Sequence, residues 1–221
     1  LDLAGDSAEA DGLYRESLAL RERALGPAHL DVAIGLNNLG ALLLATGDNA
    51  EARTVLERAL EIRTQALGPE HPDLAQSLGN LASVHVALGD YATARTLHER
   101  ALAIKQQTLG ANHPAVANTL NNLALVHYHT GAFTDARALH ERALAIREQA
   151  LAADHPAVGD SLVNLAVIDR ALGDDAAARA RYERAIPIFA AALGPEHPDL
   201  ADALNNLATL LAITDPAQAR R

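Results

Sequence analysis

Ten histidines are the first residues in this chain that could do chemistry. Five of them, His29, His71, His113, His155 and His197, return every 42 residues at the start of an apolar helical pattern. A metal ion needs three or four ligands converging on one point. Equivalent atoms on stacked helical units lie about 10 Å apart, the packing distance of helices, so these rings do not share an ion. Their expected work is capping and loop packing. His85 with His98, and His127 with His140, fall on facing helices of one unit. Two imidazoles without a third ligand make a poor metal site, and half-buried packing pairs with some pH sensitivity are expected instead. Cys is absent, which excludes disulfides and thiolate zinc sites. No phosphate-binding loop, nucleophile elbow or His-Glu-x-x-His pattern occurs. Adjacent carboxylates such as Asp174-Asp175 sit in a turn pattern. No enzyme, no metal and no cofactor are expected.

The other recurring polar group is asparagine. The pattern Leu-x-Asn-Leu-(Gly/Ala) appears five times, at Leu36–Gly40, Leu78–Ala82, Leu120–Ala124, Leu162–Ala166 and Leu204–Ala208. It sets Asn38, Asn80, Asn122, Asn164 and Asn206 at one repeat position. A primary amide offers a donor and an acceptor together, which suits the backbone of an extended peptide whatever its side chains. The same row could instead be a structural ladder, each amide bonding a neighbouring helix.

The elements that must position these residues follow from the period. A fixed repeat means an array that grows by addition rather than around one globular core. Each unit opens with a loop such as Gly68-Pro69-Glu70-His71-Pro72. Gly after the last Leu reads as a helix C-cap and Pro as a first-turn residue. First helices are expected over 31–46, 73–88, 115–130, 157–172 and 199–213. Gly-Asp turns at 47–48, 89–90 and 173–174, with Gly131, lead to second helices over 49–67, 91–109, 133–151 and 175–193. Pro187 should bend the last of these. Residues 1–6 read as a helix tail and a Gly5-Asp6 turn before a second-type helix over 7–25. The expected division is a partial repeat 1–26, full repeats 27–68, 69–110, 111–152 and 153–194, and a partial repeat 195–221. There Asp215-Pro216 replaces the Gly-Asp turn. Array ends without polar caps suggest a piece of a larger protein and make end-to-end self-association possible.

Composition narrows the partners. A net charge of -10 opposes nucleic acid, whose phosphates need a basic stripe, and anionic membrane surfaces. No stretch reaches the ~20 apolar residues of a membrane span, and Leu1–Gly5 lacks the features of a signal peptide. A cytoplasmic protein-binding or peptide-binding module is expected.

These residues resemble the tetratricopeptide repeat (TPR) family. Its large and small positions map onto Leu36, Leu39, Gly40, Leu43, Gly47, Ala52, Leu56 and Ala59. The 42-residue spacing, with His71-Pro72-Asp73, Leu120–Ala124, Gly89-Asp90-Tyr91 and Arg58–Ile62, is similar to the kinesin light chain type. The resemblance implies an all-α fold, a right-handed α-solenoid of antiparallel helix pairs. It also implies that the recurring Asn contacts bound peptide backbone. In bacteria such arrays often serve as the sensor arm of nucleotide-binding (STAND-type) regulators, an alternative to a free-standing interaction module.

A helical wheel puts Leu36, Leu39, Gly40 and Leu43 against the second helix and Ile34, Asn38, Ala41 and Ala45 opposite. The opposite faces of later first helices carry few charges: Gln76, Asn80, Ser83, Val86 and Ala87, then Asn118, Asn122, Leu125, Tyr128 and His129. They are expected to line a sheltered concave groove, with the charged second helices as the wet outer wall. Asn121, Tyr128, His129 and Arg170 complete the expected lining. Arg170 is the one clear base there, and Asp160 and Asp202 add acid, so an acidic ligand of the kind kinesin light chain grooves accept is not implied.

Overall fold

The computed structural model describes residues 3–214, with side chains described from residue 7. Ten α-helices and no strand are found among them. α1 (Leu3–Leu25) is followed by α2 (Leu30–Thr46) and α3 (Asn49–Leu67), α4 (Leu74–Ala87) and α5 (Tyr91–Leu109), α6 (Pro114–His129) and α7 (Phe133–Ala150), α8 (Pro156–Ala171) and α9 (Asp175–Leu193), and then α10 (Pro198–Thr214). The chain forms two compact units, Leu1–Gly110 and Ala111–Arg221. Within each unit the connections are a few residues long, and successive helices pack as antiparallel neighbours.

The punctuation acts as its chemistry requires. Asp48, Asp90 and Asp174 each accept from the N–H three residues on and cap α3, α5 and α9. The five loop histidines cap the first helices. In each, Nδ1 accepts the N–H two residues ahead, at 3.1 Å for His29, His113 and His155 and 3.2 Å for His71 and His197. An imidazole can do this only with a lone pair on Nδ1. Gly68 ends α3 at φ +89°, a backbone conformation that costs glycine little and other residues more.

Inside each unit the first and second helices meet through the expected residues. Leu36, Leu39, Leu56, Leu78 and Leu120 are at most 1% exposed. Gly40 lets the helices touch: a Cβ there would lie 2.5 Å from Leu56 Cγ. Later repeats carry Ala82, Ala124 and Ala166 at this position, and the residue equivalent to Leu56 becomes His98, His140 and Tyr182. All three rings are buried.

Two expectations are changed. α1 runs unbroken from Leu3, so Gly5-Asp6 is helix and not turn. Elsewhere that turn folds a first helix back on its second, and no such helix precedes α1 among the described residues. A lone glycine within a helix costs only about 1 kcal/mol. α4 begins at Leu74 rather than near Pro72, because its first turn is closed by three-residue bonds from Leu74 and Ala75 N–H to the His71 and Pro72 carbonyls. α9 takes the expected range, Asp175–Leu193, with Pro187 inside it. The Asp215-Pro216 substitution and the tail after it lie outside the described residues.

Candidate functional site

The second unit contains a cleft of about 460 Å³. α6 contributes Asn118, Asn121 and Asn122, α8 contributes Asp160, Val163 and Asn164, and α10 contributes Asp199 and Asp202. Arg147 of α7 and Phe189 of α9 reach it from behind. The first helices supply most of the lining because their Leu residues are committed to the helix pairs. That commitment turns the positions between them toward the opening.

Arg147 anchors the cleft. Its Nη1 donates to the Ala157 carbonyl at 2.9 Å and to Ser161 Oγ at 2.8 Å, and its Nη2 donates to Asn118 Oδ1 at 3.0 Å. Burial pushes the Arg147 guanidinium below its ordinary pKa, with the Asp160 charge opposing. The Asn118 bond fixes that amide with its oxygen toward the guanidinium. Behind it, His140 Nδ1 lies 2.9 Å from Asn121 Oδ1. Burial, and to a lesser degree Arg147, pushes the His140 pKa down to about 4, so the ring is neutral near pH 7 and its Nδ1–H donates to the amide oxygen. Loss of hydration in the cleft pushes the Asp160 pKa up, and the nearby Asp199 charge adds to this while Arg147 opposes it.

Sequence reasoning missed Arg147, having assigned charged residues of second helices to the outer wall. The correction has a regular form. Arg63, one repeat pair earlier, makes the same reach, donating to the Asp73 carbonyl at 3.0 Å and to Ser77 Oγ at 2.7 Å while only 8% exposed. Arg21 donates to the Asp31 carbonyl at 2.9 Å. An Arg on a second helix followed fourteen residues later by Ser, as in Arg63–Ser77 and Arg147–Ser161, was the available signal. Phe189 takes the Arg position in the next repeat. It fits because the facing residue is Gly159, where a Cβ would lie 2.6 Å from the ring.

The remaining expected residues are distributed as follows. Asn122 and Asn164 are exposed in the cleft, and Asn121 is half-buried at its base. Tyr128 and Arg170 line a separate hollow of about 370 Å³ with Val167, Asp175, Leu210 and Ile213. Tyr128 meets His129 edge-on with centroids 5.8 Å apart and Phe133 at 5.5 Å. Asn206 is half-buried on α10. In the first unit Asn38 is exposed, whereas Asn80 donates to Asn37 Oδ1 at 3.3 Å and ties α4 to α2. The histidine pairs have separate attachments: His85 Nδ1 lies 3.1 Å from Asp90 Oδ2, and His127 lies 3.8 Å from Asp135. His98 is 1% exposed and its Nδ1 meets no hydrogen-bonding group. At the position of His85 and His127 the next repeat has Asp169, fully buried, with Arg181 Nε at 2.6 Å and Arg137 Nε at 3.4 Å.

Among the described residues no group of three His, Cys, Asp or Glu could hold a metal ion, and no helix is long and apolar enough to cross a membrane. The fold is an all-α array of helix pairs, and Asn and Asp side chains of its first helices line the cleft. The chain belongs to the tetratricopeptide repeat family: the family's model matches residues 3–65, 31–107, 78–149, 115–191 and 158–221. Repeats of this family mediate protein–protein interaction. No curated protein matches the sequence. Among solved structures, the chain is similar to a kinesin light chain-type protein of Podosopora anserina with nearly identical TPR-like repeats, at 28% identity and TM-score 0.75, covering 86% of this chain and 90% of that one. A point variant of that protein gives the same values. BtubC (BKLC) of P. vanneervenii shares the fold at TM-score 0.78 and 23% identity, covering 100% of this chain and 87% of that one.

Proposed function

We propose that the α6–α8–α10 cleft binds an extended peptide segment of a protein partner, with no chemistry performed on it. The observation that carries this reading is the exposure of Asn122 and Asn164, one repeat apart, along an open cleft beside Asn118 and Asn121. Such amides can donate to and accept from a peptide backbone in turn. Asn206 follows the row on α10, and Asn38 and Asn80 hold the same repeat position in the first unit with a lesser share, since Asn80 is already engaged by Asn37. Tyr128, His129 and Arg170 would meet a ligand that runs on past the cleft. The partner is a protein rather than nucleic acid, in keeping with the net charge of -10.

The test uses a random peptide display library selected against the whole chain. Selected peptides should bind at least about tenfold more weakly to an Asn122→Ala/Asn164→Ala variant that keeps its helical circular dichroism, since two hydrogen bonds at about 1 kcal/mol each are lost. Undiminished binding contradicts the groove.

A second reading, self-association, is favoured by apolar residues left bare on the outermost described helices. Leu13 and Leu20 of α1 are 61% and 53% exposed, and Leu204 and Ile213 of α10 are 47% and 69% exposed. Sedimentation across a range of concentrations decides it, because a constant monomer mass rules it out.

A further inference from the structure

The cleft's charge says which peptides it would prefer. Its one base, Arg147, is engaged with Ala157, Ser161 and Asn118. Facing it are three carboxylates, Asp160, Asp199 and Asp202. Asp199 lies in the first turn of α10, where the helix dipole favours an acid. Asp160 and Asp202 lie beyond the first turns of α8 and α10, so neither capping nor the dipole accounts for them. Neither is in an ion pair among the described residues, although the second helices of this unit carry Arg–carboxylate pairs such as Arg137–Glu141 and Arg179–Glu183.

Repeat register isolates the feature. The position of Asp160 and Asp202 is occupied in turn by Ile34, Gln76, Asn118, Asp160 and Asp202. The backbone role is shared along the row, yet the side chain is acidic at two of the three positions that line the cleft and at neither position of the first unit. Solvated carboxylates alone would carry no inference. Here they rim a cleft whose floor includes apolar atoms of Val163 and Phe189. They are also not arranged for a metal ion. A cation on a flexible apolar stem matches both features, because such side chains lay their methylenes on apolar surface and keep the charge at the polar edge.

We propose that the peptide taken up by this cleft presents a lysine or arginine, its stem against Val163 and Phe189 and its charge met by Asp160, Asp199 and Asp202. The proposal rests on the groove reading and narrows it to a basic ligand.

The experiment extends the display selection. Peptides recovered on the wild-type chain should be enriched in Lys or Arg at one position. Affinities measured by fluorescence polarisation should fall about tenfold on an Asp160→Asn/Asp199→Asn/Asp202→Asn variant, the combined effect of several rim charges. Added salt should weaken the wild-type complex and leave the triple variant's nearly unchanged. Asparagine keeps the carboxylate's shape and already stands at residue 118 of the row, so the variant should fold, which circular dichroism checks. Peptides lacking a basic residue that still depend on Asn122 and Asn164 would overturn the charge preference and leave the groove reading intact. Peptides indifferent to Asn122→Ala/Asn164→Ala, or no recovered peptide at all, would overturn the groove reading and this inference with it.

Discussion

The units Leu1–Gly110 and Ala111–Arg221 are built on one repeat register and differ at the positions the register leaves free. In the first unit, Asn80 turns sideways to Asn37 and the neighbouring row carries Ile34 and Gln76. In the second, that row carries Asn118, Asp160 and Asp202 along a cleft braced by Arg147. Helix pairing is specified by residues common to both units, while the polar lining of the cleft is specified by a few that are not. A fold-level match alone would have missed this, since every repeat satisfies it.

The shared part should break equally in both units. Leu81→Ala and Leu123→Ala remove equivalent side chains, each 4% exposed. Each should cost about 2–5 kcal/mol in urea unfolding, the transfer loss plus a cavity. Strongly unequal losses would mean that the two cores are not equivalent. A smaller effect separates the units. Gly159→Ala drives a Cβ into Phe189 and should cost about 1–3 kcal/mol by overpacking. Other repeats hold Ala75 and Ala117 at this position without harm, because their partners are not aromatic. Combining Gly159→Ala with Phe189→Leu should cost less than the two single changes added together.

Smaller still is a gain. His140 has Asn121 beside it, whereas His98 has Gly79 at the equivalent place and its Nδ1 is left unpaired. A side chain at Gly79 would meet open space. Gly79→Asn should therefore stabilise the chain by about 1 kcal/mol more than Gly79→Ala does. The same two histidines set a pH slope. Burial lowers each from 6.5 to about 4, with Lys105 adding to the effect at His98 and Arg147 at His140. Between those values the unfolded chain binds protons that the folded chain does not, so stability falls as pH drops from about 6.5 to about 4. His98→Leu, which copies Leu56 of the first full repeat, should flatten that slope in urea titrations run at several pH values.

The sequence made most helix boundaries legible because they carry local chemistry. Gly68 supplies the positive φ, His71 the capping nitrogen, and Asp48 and Asp90 the N-terminal acceptors; the histidine recurs in every repeat, while Ala152 and Ala132 replace the Gly and the Asp around α7. The buried faces were legible from periodicity, and Leu36, Leu39 and Leu43 are buried where the helical wheel put them. The site was only half legible. Asn121, Asn122 and Asn164 do line one cleft, but Tyr128 and Arg170 line another hollow. Arg147 escaped notice because periodicity gives a residue's face and not the reach of its side chain. A long guanidinium on the outer helix can pass between neighbours to a carbonyl on the next first helix. The buried Asp169–Arg181 contact escaped for a similar reason, since it joins α8 to α9 and the two preceding repeats carry His85 and His127 at the position of Asp169.

The central claim is that recognition belongs to the second unit. Isothermal titration of one peptide recovered from display, against Asn38→Ala/Asn80→Ala and Asn122→Ala/Asn164→Ala variants of the whole chain, tests it most directly. The account predicts a loss of about tenfold or more for the second-unit pair and of no more than about twofold for the first-unit pair. Equal losses, or the larger loss from the first-unit pair, would contradict it.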